Sequence, residues 1–186
     1  MLLFINACVR STSRTRWLAD HFLKQRGLPF EELKLEDISF PLADEAFLKR
    51  RDALIEAGRF EDPLFSLARQ FAGAEEIVIA APCWDLSFPA ALKQYIEQIN
   101  VLGITFRYTK EGIPQGLCRA KKLTYITTAG GDFVPPAFGF GYIEALARHF
   151  YGIPAVEHFE ARGLDLVGAD TESILQAALS EIQKRQ

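Results

Sequence analysis

The chain has 186 residues, 49% of them hydrophobic and 24% charged, and a formal net charge of −3. That length and composition suit one globular domain, residues 1–186, with a real core. The slightly acidic balance (pI near 5.7) argues against a nucleic-acid binder, whose footprint is basic. Cys8, Cys83 and Cys118 are odd in number and lack CxxC spacing. They offer no disulfide framework and point to a reducing compartment. No apolar run approaches the ~18 residues that a membrane span needs. The first residues form a core-like run without a basic leader or a small-residue cleavage site, so a cytoplasmic soluble protein is expected.

In chain order, Leu2–Ala7 is a continuously apolar run and predicts a buried strand. Arg14–Gln25 carries Trp17, Leu18, His21, Phe22 and Gln25 at helical spacing, with Gly27 and Pro29 to stop it. Phe30–Leu35 predicts a second strand, and Asp44–Ala57 and Asp62–Phe71 two helical pieces broken at Gly58. Glu76–Ala81 is β-branched and apolar, as a central strand requires. Pro89–Val101 predicts a helix, with Pro89 suited to its first turn. Ile104–Thr109 is a short extended piece and Lys122–Thr127 a strand. Gly141–Tyr151 then reads as a helix, Val156–Ala161 as the last strand and Thr171–Lys184 as the last helix. The charged segment Ile38–Asp62 is the expected irregular region.

Strand and helix alternate about five times along this order, which implies a parallel sheet covered by helices on both faces. The clearest strands lack strict alternation, as strands buried on both sides do. In an open parallel sheet, ligands sit beyond the carboxyl ends of the strands, at a switch point in strand order. With the order 2-1-3-4-5, an expectation by analogy with folds of this class, three strand-exit loops converge: Cys8–Thr15, Pro82–Phe88 and Thr128–Gly141.

The first loop, VRSTSRTR, precedes a helix N-terminus, which exposes unpaired N–H groups and a partial positive charge. Ser11, Thr12, Ser13 and Thr15 add hydroxyls, and Arg10, Arg14 or Arg16 adds charge. It contains neither GxGxxG nor a Walker loop. The two readings are a phosphate seat and a helix cap made by Ser11 or Ser13. In the second loop, Pro82, Cys83, Trp84, Asp85 and Leu86 lead to a proline-started helix. Trp84, Leu86 and Phe88 suit the faces of a flat ligand; alternatively Trp84 is core and Asp85 or Ser87 caps the helix. The third loop, TTAGGDFVPPAFGFG, opens with Thr128, Ala129, Gly130 and Gly131. The glycine pair permits close backbone approach, and Phe133–Phe140 forms a wall or lid, because phenylalanines left in solvent are costly.

Other reactive side chains carry less. His21, His149 and His158 lack spaced partners for a metal, and structural or surface roles are expected. Cys83 has no histidine nearby in sequence to activate it as a nucleophile.

Three stretches carry a family resemblance: SRTRWLADHF, PCWDLSFPAALKQYIEQINVLGITFRYTKEGIPQGLCRAKKLTYITTAGG and HFYGIPAVEHFEARGLD. The chain resembles the flavodoxin-like NAD(P)H:quinone oxidoreductases, and most of all their FMN-dependent NADH-azoreductase branch. The resemblance implies a flavodoxin-like three-layer α/β sandwich, a five-stranded parallel sheet ordered 2-1-3-4-5, and a homodimer. It implies bound FMN, NADH or NADPH as donor, and a quinone, azo or nitroaromatic acceptor reduced by two-electron ping-pong hydride transfer. By position, Ser13, Arg14 and Thr15 match the phosphate loop, Cys83–Leu86 the loop beside the flavin ring, and Thr128–Gly131 the loop at its other polar edge. Removing the Ser13 and Thr15 hydroxyls is therefore expected to weaken FMN binding without unfolding the protein.

The chain departs from the family in three places. Asn6 or Ala7 stands where relatives carry serine, Asp85 where asparagine is common, and Ala129 where the azoreductase branch often has arginine. A carboxylate at Asp85 close to the ring would oppose negative charge there. The rival readings are a flavodoxin-like FMN carrier or regulatory module without NAD(P)H oxidation, and a hydrolase or transferase using Asp85, for which no oriented base is evident.

Overall fold

The computed structural model describes residues 1–185. Its centre is a parallel sheet of β1 (Leu2–Asn6), β2 (Phe30–Lys34), β3 (Glu76–Ala80), β6 (Lys122–Thr128) and β7 (Ala155–Ala161), in the order β2-β1-β3-β6-β7. Numbered within that sheet alone, the order is the expected 2-1-3-4-5. β1 lies between two neighbours, with Leu3 opposite Glu31 on one side and Ile77 on the other. All five of its residues are buried, which explains the run without alternation.

The pleat sends successive side chains to opposite faces. Leu3, Ile5, Ile77, Ile79 and Tyr125 pack beneath α3 (Ser66–Gly73), α4 (Ala90–Ile99) and α5 (Phe140–Leu146). Phe4, Val78, Ile126 and Phe159 pack beneath α1 (Arg14–Arg26) and α6 (Thr171–Lys184). Each face thus gains its own apolar core, and the ends of the strands are left to carry the loops.

Local chemistry sets the helix limits. The Ser13 hydroxyl accepts from the Arg16 N–H at 3.2 Å to start α1, and Gly27 closes it. Asp170 accepts from the Ser173 N–H at 3.0 Å to start α6, whose limits match expectation. α2 (Glu45–Glu56) is capped by Asp44 and covers about half of the expected irregular region, with turns and irregular chain on either side. Asp62 caps a short 3-10 turn, Pro63–Phe65, before α3.

Several boundaries differ from the sequence reading. β1 stops at Asn6, and the first residue beyond it, Ala7, still donates to the Ala80 carbonyl at 2.9 Å. Pro89 is extended (ψ 144°) and precedes α4 instead of standing in its first turn. Neither Asp85 nor Ser87 caps that helix; the Ser87 hydroxyl donates to the Phe138 carbonyl instead. α5 begins at Phe140 and ends in a π-helical turn, Ala147–Tyr151. The extended piece expected over Ile104–Thr109 is one arm, β4 (Phe106–Tyr108), of a hairpin whose other arm, β5 (Pro114–Gly116), the sequence hid. A proline and a glycine in three residues give no strand signal. Gly116 is there because the backbone of Tyr151 stands where a Cβ would lie, at 2.1 Å. Among the described residues, no helix is long and apolar enough to cross a membrane.

Candidate functional site

The carboxyl ends of β1, β3 and β6 are adjacent, and their exit loops meet as expected around a crevice of about 460 Å³. That volume lies within the range of small-molecule sites. Val9, Arg10, Thr12, Ser13, Arg14 and Thr15 supply one side. Pro82, Cys83 and Trp84 supply the second, and Thr128, Gly130 and Asp165 the third.

The first side is a helix start. Ser13 both caps α1 and lines the crevice, so the cap and the candidate ligand seat are one structure. The N–H groups of Arg14 and Thr15 have no partner among the described residues. They lie at the positive end of the α1 dipole, where an anion is stabilised. Two of the three loop arginines are committed. Arg14 donates to Asp165 at 2.8 Å and to the Leu164 carbonyl at 3.2 Å. Arg16 is held by Asp20 and Glu32. Arg10 lines the crevice with no carboxylate partner among the described residues. Thr15 is fully buried and its hydroxyl is hydrogen-bonded to the Thr128 hydroxyl at 2.6 Å. Loss of the Ser13 and Thr15 hydroxyls therefore removes a helix cap and a buried hydrogen bond together. Ser11 is exposed and outside the lining.

The second side is a two-residue turn. Trp84 and Ser87 exchange both backbone hydrogen bonds at 2.9 Å. Asp85 and Leu86 between them have φ of 50° and 68°. This is the left-handed geometry of a type I′ turn, which Asn-Gly or Asp-Gly fill without strain and leucine does not. Such strain at a ligand site marks a conformation held by its surroundings. Trp84 is 38% exposed, so it is a wall of the crevice and not core. Asp85 and Leu86, expected at the site, are not among the residues that line the crevice. The Cys83 N–H donates to the Thr128 carbonyl at 2.9 Å, locking the second loop to the third. Burial raises the Cys83 thiol pKa, against a thiolate nucleophile.

The third side is a zipper between the loops after β6 and β7. Ala129 N–H bonds Ala161 O at 2.9 Å, Asp165 N–H bonds Gly130 O at 2.9 Å, and Gly163 N–H bonds Gly131 O at 3.1 Å. A Cβ on Gly130 would stand 2.3 Å from the Asp165 carboxylate, so a side chain there would push that carboxylate from its place beside Arg14. Ala129 and Gly131 serve this zipper and do not line the crevice. Asp165 is the residue that the sequence reading missed. It bridges Arg14 to the Gly130 loop, and its only sequence signal was its place just beyond the last strand. Phe133 and Phe138 remain 76% and 58% exposed, against the expectation of coverage within the chain.

A family model described as the flavodoxin-like fold matches residues 1–185. The chain is 37% identical over 98% of its length to the FMN-dependent NADH:quinone oxidoreductase of Caldicellulosiruptor saccharolyticus, covering 96% of that protein. It is 37% identical over 97% of its length to FMN-dependent NADH:quinone oxidoreductase 2 of Clostridium acetobutylicum, covering 94% of it. The crystal structure of a Bacillus anthracis azoreductase superposes with a TM-score of 0.86 at 26% identity, over 99% of this chain and 97% of that one. The chain belongs to the flavodoxin-like fold family, in its branch of FMN-dependent NADH:quinone oxidoreductases and azoreductases.

Proposed function

We propose that the chain is an FMN-dependent NAD(P)H oxidoreductase that reduces quinones, with azo and nitroaromatic compounds as further acceptors. The observation that carries this reading is the meeting of an N–H-rich helix start, an indole wall and a glycine-backed loop in one crevice. These residues fit FMN. The Arg14 and Thr15 N–H groups, with the Thr12 and Ser13 hydroxyls, suit a phosphate monoester. Pro82 and Trp84 suit a flat ring, and the backbone of Thr128 and Gly130 its polar edge. FMN, when bound, supplies two-electron hydride chemistry between NADH or NADPH and the acceptor. The chain's own residues hold, orient and shield. The Arg14–Asp165 pair ties the helix start to the third loop. The turn at Trp84–Ser87 holds Trp84 in place and leaves the Asp85 and Leu86 N–H groups without partners among the described residues.

The chain acts as a single domain and as a homodimer. Trp84, Leu86, Phe133 and Phe138 are exposed apolar groups on the loops flanking the crevice, and a second copy would cover them. Three unpaired thiols suit a reducing cytoplasm.

The test is spectroscopic. The purified protein takes up FMN, turns yellow, bleaches under anaerobic NADH or NADPH, and recovers colour on adding a quinone. Failure to take up added FMN would defeat the reading. Colour that neither nicotinamide bleaches would leave an electron carrier.

A further inference from the structure

β7 places His158 and Glu160 at alternate positions near its carboxyl end, on the α5 side of the sheet, and Arg162, the first residue beyond the strand, lines the same space. They line a second, smaller cavity of about 50 Å³, under the segment Val134–Phe140. Its far wall includes Cys83, Leu86 and Ser87, so the turn that walls the crevice also walls this cavity. Leu86 and Pro136 in its lining are exposed, which places its mouth beside that turn.

Three polar atoms here are shut off from solvent and have no hydrogen-bond partner among the described residues: His158 Nε2, Glu160 Oε2 and Arg162 Nε. The other carboxylate oxygen of Glu160 forms an ion pair with Arg162 Nη2 at 2.7 Å, and His158 Nε2 stands 3.7 Å from Glu160 Oε2, too far for a good bond. The His158 ring is fixed by stacking on Phe140, with centroids 4.4 Å apart and planes 9° apart. Each orphaned group costs roughly 1–3 kcal/mol unless something fills the gap. A space of this size with these partners takes one or two waters or one small polar group, and no ring.

The chemistry selects that group. Glu160 repels an anion and Arg162 repels a cation. One Nε–H donor, one carboxylate acceptor and an imidazole able to play either part match a hydroxyl, which both donates and accepts. We propose that this cavity is a polar subsite for the electron acceptor, taking one hydroxyl group of a hydroxyl-bearing aromatic acceptor whose ring lies over the cavity's mouth beside Leu86 and Pro136, with water standing there otherwise. The proposal rests on the oxidoreductase reading of the crevice.

Two measurements test it. The first is a high-resolution crystal structure of the unliganded protein. Water within hydrogen-bond distance of His158, Glu160 and Arg162 supports the subsite; a dry, collapsed cavity overturns it whatever FMN does. The second compares the FMN-loaded enzyme on 2-methyl- and 2-(hydroxymethyl)-1,4-naphthoquinone. The hydroxymethyl compound gains about tenfold in kcat/KM, expressed in KM, as a hydrogen bond to a charged group allows. Glu160→Leu brings the ratio to near one. If that variant misfolds, Glu160→Gln, which keeps the volume, lowers the ratio. Equal kcat/KM for the two quinones in the loaded wild type overturns the subsite while the flavoenzyme reading stands. A hydrated cavity in a protein that refuses FMN overturns the acceptor role together with the crevice reading.

Discussion

The crevice is bounded by two turns that meet the same task by opposite means. The turn after β1 is relaxed: Ser13 caps α1, and the N–H groups left over are what any helix start leaves over. The turn after β3 is strained: Asp85 and Leu86 hold left-handed backbone conformations that a leucine resists. The first makes a binding surface from the ordinary ends of secondary structure. The second holds its shape through neighbours, with the Cys83 N–H on Thr128 and the Ser87 hydroxyl on Phe138. A functional loop can therefore be cheap in stability where a helix supplies the donors, and costly where they come from a bare turn.

The sharpest blow to the relaxed turn falls on its buried anchor. Thr15→Val strands the Thr128 hydroxyl in a dry site and lowers unfolding free energy by about 2 kcal/mol. A urea midpoint equal to wild type would show that the 2.6 Å contact contributes nothing. Ser13→Ala removes the cap for about 1 kcal/mol and weakens FMN binding in the same variant. If stability falls with FMN affinity intact, cap and ligand seat are separate structures.

The strained turn answers in the other direction. Leu86→Gly comes out more stable than Leu86→Ala by about 1 kcal/mol, because glycine tolerates positive φ and alanine does not. Thermal melts of the pair decide it, and the reverse order would remove strain from the account. The smallest effect lies behind that turn, at His158. Burial lowers the pKa of its ring from the ordinary 6.5, so at acid pH the unfolded chain binds the proton more readily than the folded one. Glu160 and Glu181 oppose this and Arg162 and Arg185 reinforce it, with burial the largest cause. Folding stability should fall as pH drops below 6.5. His158→Phe makes that acid limb shallower, and denaturant titrations at neutral and mildly acid pH show the change in slope. An unchanged slope would place the titration elsewhere.

The two turns were also unequally legible in the sequence. A hydroxyl followed by an amphipathic run is a local signal, so α1, its cap and its donors were readable from SRTRWLADHF. Asp85 alone is a weak turn signal and Leu86 speaks against left-handed backbone, where glycine would have marked the turn, and the expected cap at Asp85 or Ser87 did not form. Asp165 and the His158–Glu160–Arg162 row were invisible for a related reason. Their meaning depends on which loop or segment the fold lays over them.

The chain by itself determined the alternation of strands and helices, the apolar strands that must lie at the sheet's centre, and the helix start that offers N–H groups at one strand exit. These follow from periodicity and end effects that act within a few residues. Only the tertiary structure decided that Arg14 reaches Asp165, 151 positions away, that the Asp165 carboxylate lies in the space a bare Gly130 leaves, and that three polar side chains at the end of an edge strand face a cavity behind the Trp84 turn. Those facts arise from packing between distant segments, where the space left by one loop selects the side chain of another.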